Sequence, residues 1–105
     1  MIGRIRSRHE FERLRREGRR TRVDPLWCTY VHDPSMTTPC VAFAISRAIG
    51  NAVTRNLIRR RLRALLAESE LAPGLWLFGV RQPVVELSFA DLRSLLDLLL
   101  SRANR

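Results

Sequence analysis

Apolar residues recur at helical spacing in three segments of the chain. The first segment, about 7–17, begins with Ser7 and Glu10 at the spacing of a capping box. The second follows Asn51, a residue type that caps helices well, and the third, about 88–101, carries a stripe of leucines. This pattern predicts three helices. The last one is expected to be structural, with a partner-binding helix as the alternative.

Three further segments have the composition of β-strands. Residues 26–32 are rich in aromatic and β-branched side chains, and residues 75–81 form a nearly continuous apolar run that is typical of a buried central strand. Residues 40–46 place large and small side chains on opposite faces: Val41, Phe43 and Ile45 against Ala42, Ala44 and Ser46. We expect the large face in the core and the small face either closely covered or open as a shallow groove. The alternation leaves open which face of 26–32 joins the small residues.

The order helix, strand, strand, helix, strand, helix predicts an α+β fold. We expect one domain over residues 1–105, in which a small β-sheet and the helices packed on it form a two-layer sandwich. No composition shift or internal repeat indicates a second domain, and only about residues 102–105 are expected to form a disordered tail.

The chain is strongly basic, and its charge is unevenly distributed. The formal net charge is +9, all 19 basic residues are arginine, and no acidic residue occurs between Pro34 and Ala67. Arginine's planar guanidinium can bind two phosphate oxygens at once, so this composition indicates a polyanionic partner such as RNA or DNA. A merely solvated charged face is the alternative, although such faces usually mix charges of both signs.

The middle helix carries the densest part of this charge. On a helix, Arg55, Arg59 and Arg63 follow one another at steps of four, with Asn56 and Arg60 on the neighbouring stripe. The other side is apolar and can dock on a core: Ile58, Leu62 and Leu65. Like charges at this spacing destabilise an isolated helix, and a bound phosphate backbone would offset that repulsion.

The sequence also argues against several functions. The charged N-terminus does not resemble a secretory signal, and the leucine-rich segment near the C-terminus is too short to span a membrane, so we expect a soluble, cytoplasmic protein. Cys28 and Cys40 lack metal-site spacing; we expect reduced thiols, with a disulfide as the open alternative. No hydrolytic constellation is recognisable, so we expect no catalytic residue and no metal site in the chain.

The segment around the basic helix resembles the arginine-asparagine signature of the bacterial ribonuclease P protein family. The matching residues are Ser46, Arg47, Gly50, Asn51, Ala52, Val53, Arg55, Asn56, Arg59, Arg60 and Arg63. The likeness covers nearly the whole chain, from a basic segment leading to Phe11 to an apolar strand that finishes at residues 80–83.

This resemblance implies a fold and a function. The fold is an α+β sandwich with a small mixed sheet and a left-handed β-α-β crossover, against the usual right-handed preference. The function is that of a protein subunit that joins a catalytic RNA and binds the 5′ leader of precursor tRNA, while the RNA and its Mg²⁺ ions perform the endonucleolytic cleavage. The chain itself is expected to bind no cofactor and no small-molecule substrate, and to be inactive alone.

The resemblance also assigns residues to two binding surfaces. The RNA-subunit surface comprises the basic helix and its approach: Arg47, Asn51, Arg55, Asn56, Arg59, Arg60 and Arg63. The leader surface comprises one helix face and a sheet cleft: Phe11, Arg15, Cys28, Tyr30, Ala44 and Ser46. On this assignment the cleft face of the sheet holds Cys28, Tyr30, Ala42, Ala44 and Ser46. The core holds Trp27, Phe43 and Ile45.

Two positions depart from the family pattern. Arg15 stands where many relatives carry a second aromatic residue, which removes one base-stacking position and implies that leader binding depends more on charge. Arg47 and Ala48 stand where relatives commonly carry two lysines, so one phosphate contact is expected to be missing. A standalone basic RNA-binding protein, such as a ribosomal or RNA-chaperone protein, is the alternative function. Binding to a membrane surface is disfavoured because few large apolar residues flank the arginines.

Overall fold

In the computed structural model, which describes residues 2–104, five β-strands form one sheet and three α-helices pack on it. The strands are β1 (Gly3–Arg4), β2 (Arg19–Val23), β3 (Leu26–His32), β4 (Cys40–Ala44) and β5 (Gly74–Val80). The helices are α1 (Arg8–Glu17), α2 (Ala52–Glu68) and α3 (Phe89–Ala103). Short 3₁₀ turns precede α2 and α3, at Arg47–Ile49 and Gln82–Glu86.

The sheet is mixed, with the spatial order β1-β4-β5-β3-β2. β4 is parallel to both β1 and β5, whereas β3 is antiparallel to both β5 and β2. β4, α2 and β5 therefore form a parallel β-α-β unit between adjacent strands. The predicted α+β class and the mixed sheet are confirmed, and the left hand of the crossover stays a prediction.

One face of the sheet is covered by α2 and α3 and contains the main core. The register places side by side, across β4, β5 and β3, the triplets Val41, Trp76, Tyr30 and Phe43, Phe78, Cys28. The helices contribute Ile58, Leu62, Leu65 and Leu66 from α2, and Leu92, Leu96, Leu99 and Leu100 from α3. The large face predicted for residues 40–46 therefore packs in the core, as expected.

α1 packs on the opposite face of the sheet and covers only part of it. A small second core holds it there: Ile5, Leu14, Val31 and Leu75. An ion pair between Arg13 Nη1 and Asp33 Oδ2, 2.7 Å apart, fixes α1 to the end of β3. Helices thus lie on both faces of the sheet, whereas the sequence pattern predicts two layers.

Polar residues that flank the helices act as the caps that the sequence predicts. Ser7 Oγ accepts a hydrogen bond from the Glu10 backbone N–H, and the Glu10 carboxylate accepts one from the Ser7 N–H. Asn51 Oδ1 accepts a hydrogen bond from the Thr54 N–H at 2.9 Å, and Ser88 caps α3 in the same way. Each cap satisfies an N–H group that the first helical turn leaves without a partner.

The structure differs from the predicted elements at several points. The sequence pattern does not predict β1, which has two residues, or β2, which is mostly charged; both form by pairing with a neighbouring strand. β4 ends at Ala44, two residues before the predicted end. The tail predicted at 102–105 is instead helical at Arg102 and Ala103, because Ala103 packs in the main core. Arg105 lies outside the described residues.

Candidate nucleic-acid interface

Four arginines and Asn56 line a concave surface along the exposed side of α2. This cavity has a volume of about 530 Å³, and we name its lining the α2 surface: Arg4, Val53, Asn56, Arg59, Arg60 and Arg63. Four of the seven residues predicted to bind the RNA subunit are therefore brought together. Arg4, which the sequence analysis missed, joins them from β1 because that strand pairs with β4.

Two arginines of the α2 surface are held in place by neighbouring side chains. Arg59 Nη1 donates a hydrogen bond to Asn56 Oδ1 at 2.7 Å. The guanidinium carbon of Arg63 lies 5.4 Å from the centre of the Phe43 ring, a cation–π contact that connects α2 to β4. Because these contacts restrict the side chains before a ligand arrives, less conformational entropy is lost on binding.

The arginines of α2 lack the acidic partners that other arginines of the chain have. Within residues 2–104, none of them forms an ion pair with a carboxylate, whereas others do: Arg8, Arg13, Arg22, Arg81 and Arg93. The absence of acidic residues between Pro34 and Ala67 explains this difference. Cations crowded on one helix face without counter-charges repel one another, so an anionic ligand would stabilise them.

The other residues predicted for RNA-subunit binding lie beside the α2 surface. Asn51 is exposed and caps α2 through its side-chain oxygen, and Arg47 is exposed in the preceding 3₁₀ turn. Arg55 is half-buried, and its Nε atom is buried without a hydrogen-bond partner among the residues that the structure describes. Arg55 is therefore partly packed into the protein, although its position on the arginine stripe predicts an exposed side chain.

A second basic concavity lies between α1 and the open face of the sheet. Its volume is about 360 Å³, and we name it the α1 cleft; its lining is Phe11, Leu14, Arg15, Gly18, Arg20, Trp27, Thr29 and Leu77. Phe11 is 42% exposed, and both Arg15 and Arg20 are exposed, so an aromatic ring and two cations border one opening. The volume is in the lower part of the range for small-ligand pockets, roughly 300–1,000 Å³.

Gly18 allows α1 to approach the sheet closely. It follows the last residue of α1, and its N–H donates a hydrogen bond to the Leu14 carbonyl at 3.0 Å. A Cβ atom at this position would overlap Thr29 Cγ2 and the Leu14 carbonyl oxygen. Glycine is therefore required here by close contact, and Thr29 lies directly beneath the end of the helix.

Cys28 and Tyr30 do not line the α1 cleft, and the prediction that they share a face with the small residues of β4 is wrong. Cys28 is fully buried in the main core, and this burial raises the pKa of its thiol to about 11. Tyr30 stacks on Trp76 with ring centres 3.9 Å apart, and its hydroxyl donates a hydrogen bond to the Pro73 carbonyl at 2.9 Å. Both side chains therefore stabilise the covered face of the sheet.

Trp27 and Thr29 occupy the cleft in their place. Alternation within β3 separates the two sets of side chains, but only the pairing with β5 decides which set faces α1. Thr29 lies opposite Leu77 of β5, which in turn lies opposite Ala42 of β4, so these three share the cleft face. Trp27, predicted as a core residue, is half-exposed on the same face.

Ala44 and Ser46, also predicted for the leader surface, lie outside the lining of the α1 cleft. Ala44 is on the cleft face of the sheet, opposite Gly79, and Ser46 is exposed beyond the end of β4. Arg20 is not among the predicted leader residues, because the sequence pattern does not predict β2. The available signal was the period-two pattern of residues 19–23, which separates Arg20 from the buried Val23.

The described residues bring together no group of three or more side chains that could hold a metal ion, and none of their helices is long and apolar enough to cross a membrane. Cys28 and Cys40 are free thiols on opposite faces of the sheet. The α2 surface and the α1 cleft offer ion pairing, guanidinium hydrogen bonds and aromatic stacking, which are the interactions that bind nucleic-acid phosphates and bases.

Known proteins resemble this chain over almost its full length. A family model described as Ribonuclease P matches residues 3–104. The ribonuclease P protein component of Roseiflexus castenholzii is 34% identical over 105 residues, which cover 95% of this chain and 84% of that protein. The corresponding component of Micrococcus luteus is 39% identical over 80 residues, which cover 69% of this chain but only 61% of that relative's length.

A solved structure has the same fold. The RNase P protein of Staphylococcus aureus matches with a TM-score of 0.85 at 22% sequence identity. The match covers 95% of this chain and 94% of that one.

Proposed function

This chain belongs to the ribonuclease P protein family, and we propose that it is the protein subunit of a ribonuclease P that removes the 5′ leader of precursor tRNA. One observation carries the proposal: arginines of α2 line a concave surface, and within residues 2–104 no carboxylate pairs with them. A polyanion is the ligand that this surface fits, and in this family the polyanion is RNA.

The α2 surface is proposed to bind the catalytic RNA subunit. A guanidinium can donate two parallel hydrogen bonds to phosphate oxygens, and Arg59 and Arg63 are already oriented by Asn56 and Phe43. Besides Asn56 and Arg60 of the α2 surface, the proposed contact area includes residues around the start of the helix: Arg47, Asn51 and Arg55.

The α1 cleft is proposed to bind the 5′ leader. Bases of a single strand are free to stack, and the cleft offers the exposed ring of Phe11 for stacking and Arg15 for phosphate contact. Ala44 and Ser46 would extend the contact area along β4. Because these contacts disappear when the leader leaves, they favour the precursor over the mature tRNA.

The protein's contribution to cleavage is binding and positioning. Phosphate neutralisation reduces the cation concentration that the RNA needs, and contacts to the leader align the precursor. Hydrolysis is assigned to the RNA with the Mg²⁺ ions that it binds, and no cofactor is assigned to this chain. We place the activity in the cytoplasm, where precursor tRNA is made in bacteria.

Cleavage of a 5′-extended precursor tRNA at low Mg²⁺ tests the proposed function. The reactions contain a bacterial ribonuclease P RNA alone, the protein alone, or both together. We expect correct 5′ maturation only with both, because the RNA alone then lacks sufficient charge neutralisation. If the folded protein does not stimulate a matched RNA, the chain is instead a standalone RNA-binding protein.

A pair of charge-matched variants makes this assay specific for the α2 surface. Arg59→Ala/Arg63→Ala should require more Mg²⁺ for the same rate, because two phosphate contacts are lost. Arg93→Ala/Arg102→Ala removes the same charge from α3, where neither residue lines the α2 surface or the α1 cleft. Equal Mg²⁺ requirements for the two variants would contradict the assignment of the RNA subunit to α2.

A further inference from the structure

Trp27 is a large apolar side chain that stays half-exposed on the open face of the sheet. Its indole ring lies against Gly79 of β5, the residue opposite Trp27 in the strand register. A Cβ atom on Gly79 would overlap Cε2, Cζ2 and Nε1 of the indole, so this glycine creates the space that the ring occupies. The ring therefore forms a flat wall of the α1 cleft.

The guanidinium of Arg20 lies over the same ring, with its carbon 4.3 Å from the ring centre. Arg20 is exposed, and it forms no ion pair with a carboxylate in the part of the chain that the structure describes. The aromatic face attracts the cation, while the N–H groups in the guanidinium plane remain available to acceptors. The wall of the cleft is thus layered, with glycine backbone first, then indole, then guanidinium.

We propose that Arg20, positioned by Trp27, binds one unpaired nucleotide of single-stranded RNA in the α1 cleft; this inference rests on the proposed function of that cleft. The base stacks on the outer face of the guanidinium, and the N–H groups at the edge of the guanidinium bind the adjacent phosphate. One planar group can do both, because stacking uses its face and hydrogen bonding uses its edge.

This site recognises an unpaired base and not a sequence. Every base has a π-face, and a phosphate contact carries no sequence information, so neither interaction distinguishes one nucleotide from another. A base held in a duplex cannot present its face to Arg20, because both of its faces are covered by neighbouring base pairs. The site therefore selects for single-stranded RNA, which is the state of a leader.

A series of short single-stranded RNAs, each with one abasic nucleotide at a different position, tests whether a base stacks on Arg20. For the wild-type protein, loss of the base at the bound position should weaken binding about tenfold, the lower part of the range for one stacked base. Arg20→Lys keeps the charge but has no planar face, so its affinity should be about tenfold lower and should not depend on that base. Arg20→Gln should also flatten the slope of log K against log salt by about 0.7.

Variants of Trp27 distinguish its positioning role from a structural one. Trp27→Leu fills the space over Gly79 without holding a guanidinium, so it should behave like Arg20→Lys. Trp27→Phe provides an aromatic face and should restore the dependence on the base. Thermal melting of each variant establishes that it is folded.

Arg22→Gln is the charge-matched control for Arg20→Gln. Arg22 lies on the same strand and the same face, pairs with Asp24 at 3.8 Å, and does not line the α1 cleft. The Arg22→Gln variant should lose the same affinity as the wild type when the base at the bound position is removed. The inference would be overturned if removal of the base weakened binding equally in wild type, Arg20→Lys and Trp27→Leu. It would also be overturned if base removal at every position left the affinity of the wild type unchanged.

The precursor cleavage assay separates failure of this inference from failure of the proposed function. If the wild type stimulates the RNA and Arg20→Lys still discriminates precursor from leaderless tRNA equally well, the stack is overturned and the proposed function stands. If the wild type gives no stimulation, the proposed function is overturned. Binding of the abasic RNA series to the free protein then shows by itself whether a base stacks on Arg20.

Discussion

Cys28 and Cys40 differ in how far solvent reaches their thiols. Cys28 is fully buried, and burial raises the pKa of its thiol to about 11, whereas Cys40 is half-buried near Gly3. Because the thiolate is the reactive species, we expect a thiol reagent at neutral pH to modify Cys40 in the folded protein and Cys28 only after unfolding. Peptide mass spectrometry checks this, with Cys40→Ser as the unreactive control. Equal labelling rates for both thiols in the folded protein would contradict the burial of Cys28.

Asp33 links the end of β3 to α1 and has an unusually acidic side chain. Hydrogen bonds from Ser35 and Arg13 lower the pKa of its carboxyl from 3.8 to about 2. A carboxyl whose pKa is lower in the folded state stabilises the fold above about pH 4 and loses that contribution as the pH falls toward 2. We therefore expect Asp33→Asn to lower the urea midpoint at neutral pH, and the difference from wild type to shrink between about pH 4 and pH 2.

A control for this pH dependence lies on α3. Asp97 is exposed there and forms no ion pair within residues 2–104, so Asp97→Asn should leave the urea midpoint nearly unchanged at each pH. If the difference between wild type and Asp33→Asn did not change with pH, the contact to Arg13 and Ser35 would not be the source of the stabilisation.

Among the elements, α2 depends on a single residue for its start. Asn51 Oδ1 accepts a hydrogen bond from the Thr54 N–H, and no acidic side chain of the first turn assists it. We expect Asn51→Ala to lower the free energy of unfolding by about 1 kcal/mol, whereas Asn51→Asp keeps an acceptor at the cap and should retain stability. Chemical denaturation measures both. Identical stability of wild type and Asn51→Ala would contradict the capping contact.

Comparison of Asn51→Asp with the wild type separates effects on folding from effects on RNA binding. Asn51→Asp places a negative charge beside the α2 surface, so we expect it to weaken binding of the RNA subunit while the protein remains as stable as the wild type. A folded Asn51→Asp protein with wild-type affinity would show that RNA does not approach the start of α2.

Elements with strong local signals could be predicted from the sequence. The three helices begin at polar caps, and β3 has the predicted bounds, because its apolar run stops at Asp33 and Pro34. β1 and β2 have no such signal: β2 reads as a charged segment, and it becomes a strand only because its backbone pairs with β3. The helical period also predicted that Ile58, Leu62 and Leu65 are buried and that Arg59, Arg60 and Arg63 lie on the other side of α2, but it did not predict that Arg55 is partly packed into the protein.

Only the tertiary structure shows which side chains of a strand point toward α1 and which point toward the main core. Cys28 and Tyr30 alternate with Trp27 and Thr29, and no local feature distinguishes an outward from an inward aromatic residue. The answer depends on which face α1 covers, and α1 reaches that face through Gly18 and the Arg13 ion pair with the end of β3. For this reason only Phe11 and Arg15 of the predicted leader residues line the α1 cleft.

At the scale of the whole molecule, the acidic residues partition the arginines into two groups. Ion pairs engage arginines on α1 and β2, just after β5, and on α3, whereas within the described chain no arginine of α2 forms one. Some of the paired arginines connect different elements, as Arg93 does by contacting Glu68 across α3 and α2 at 3.4 Å. The five arginines of α2 form no such pair and share one helix, so the position of the charge and not only its sum should control RNA affinity.

The salt dependence of binding to the RNA subunit tests this idea. Each phosphate contact contributes about −0.7 to −0.9 to the slope of log K against log salt. Arg59→Ala/Arg63→Ala and Arg93→Ala/Arg102→Ala both lower the formal net charge from +9 by 2, to +7. We expect the first variant to flatten the slope by about 1.4 to 1.8 and the second to leave it nearly unchanged, because only the first removes groups from the α2 surface. If net charge alone governed binding, the two slopes would be equal; the difference between them therefore measures how much of the affinity depends on where the fold places its arginines.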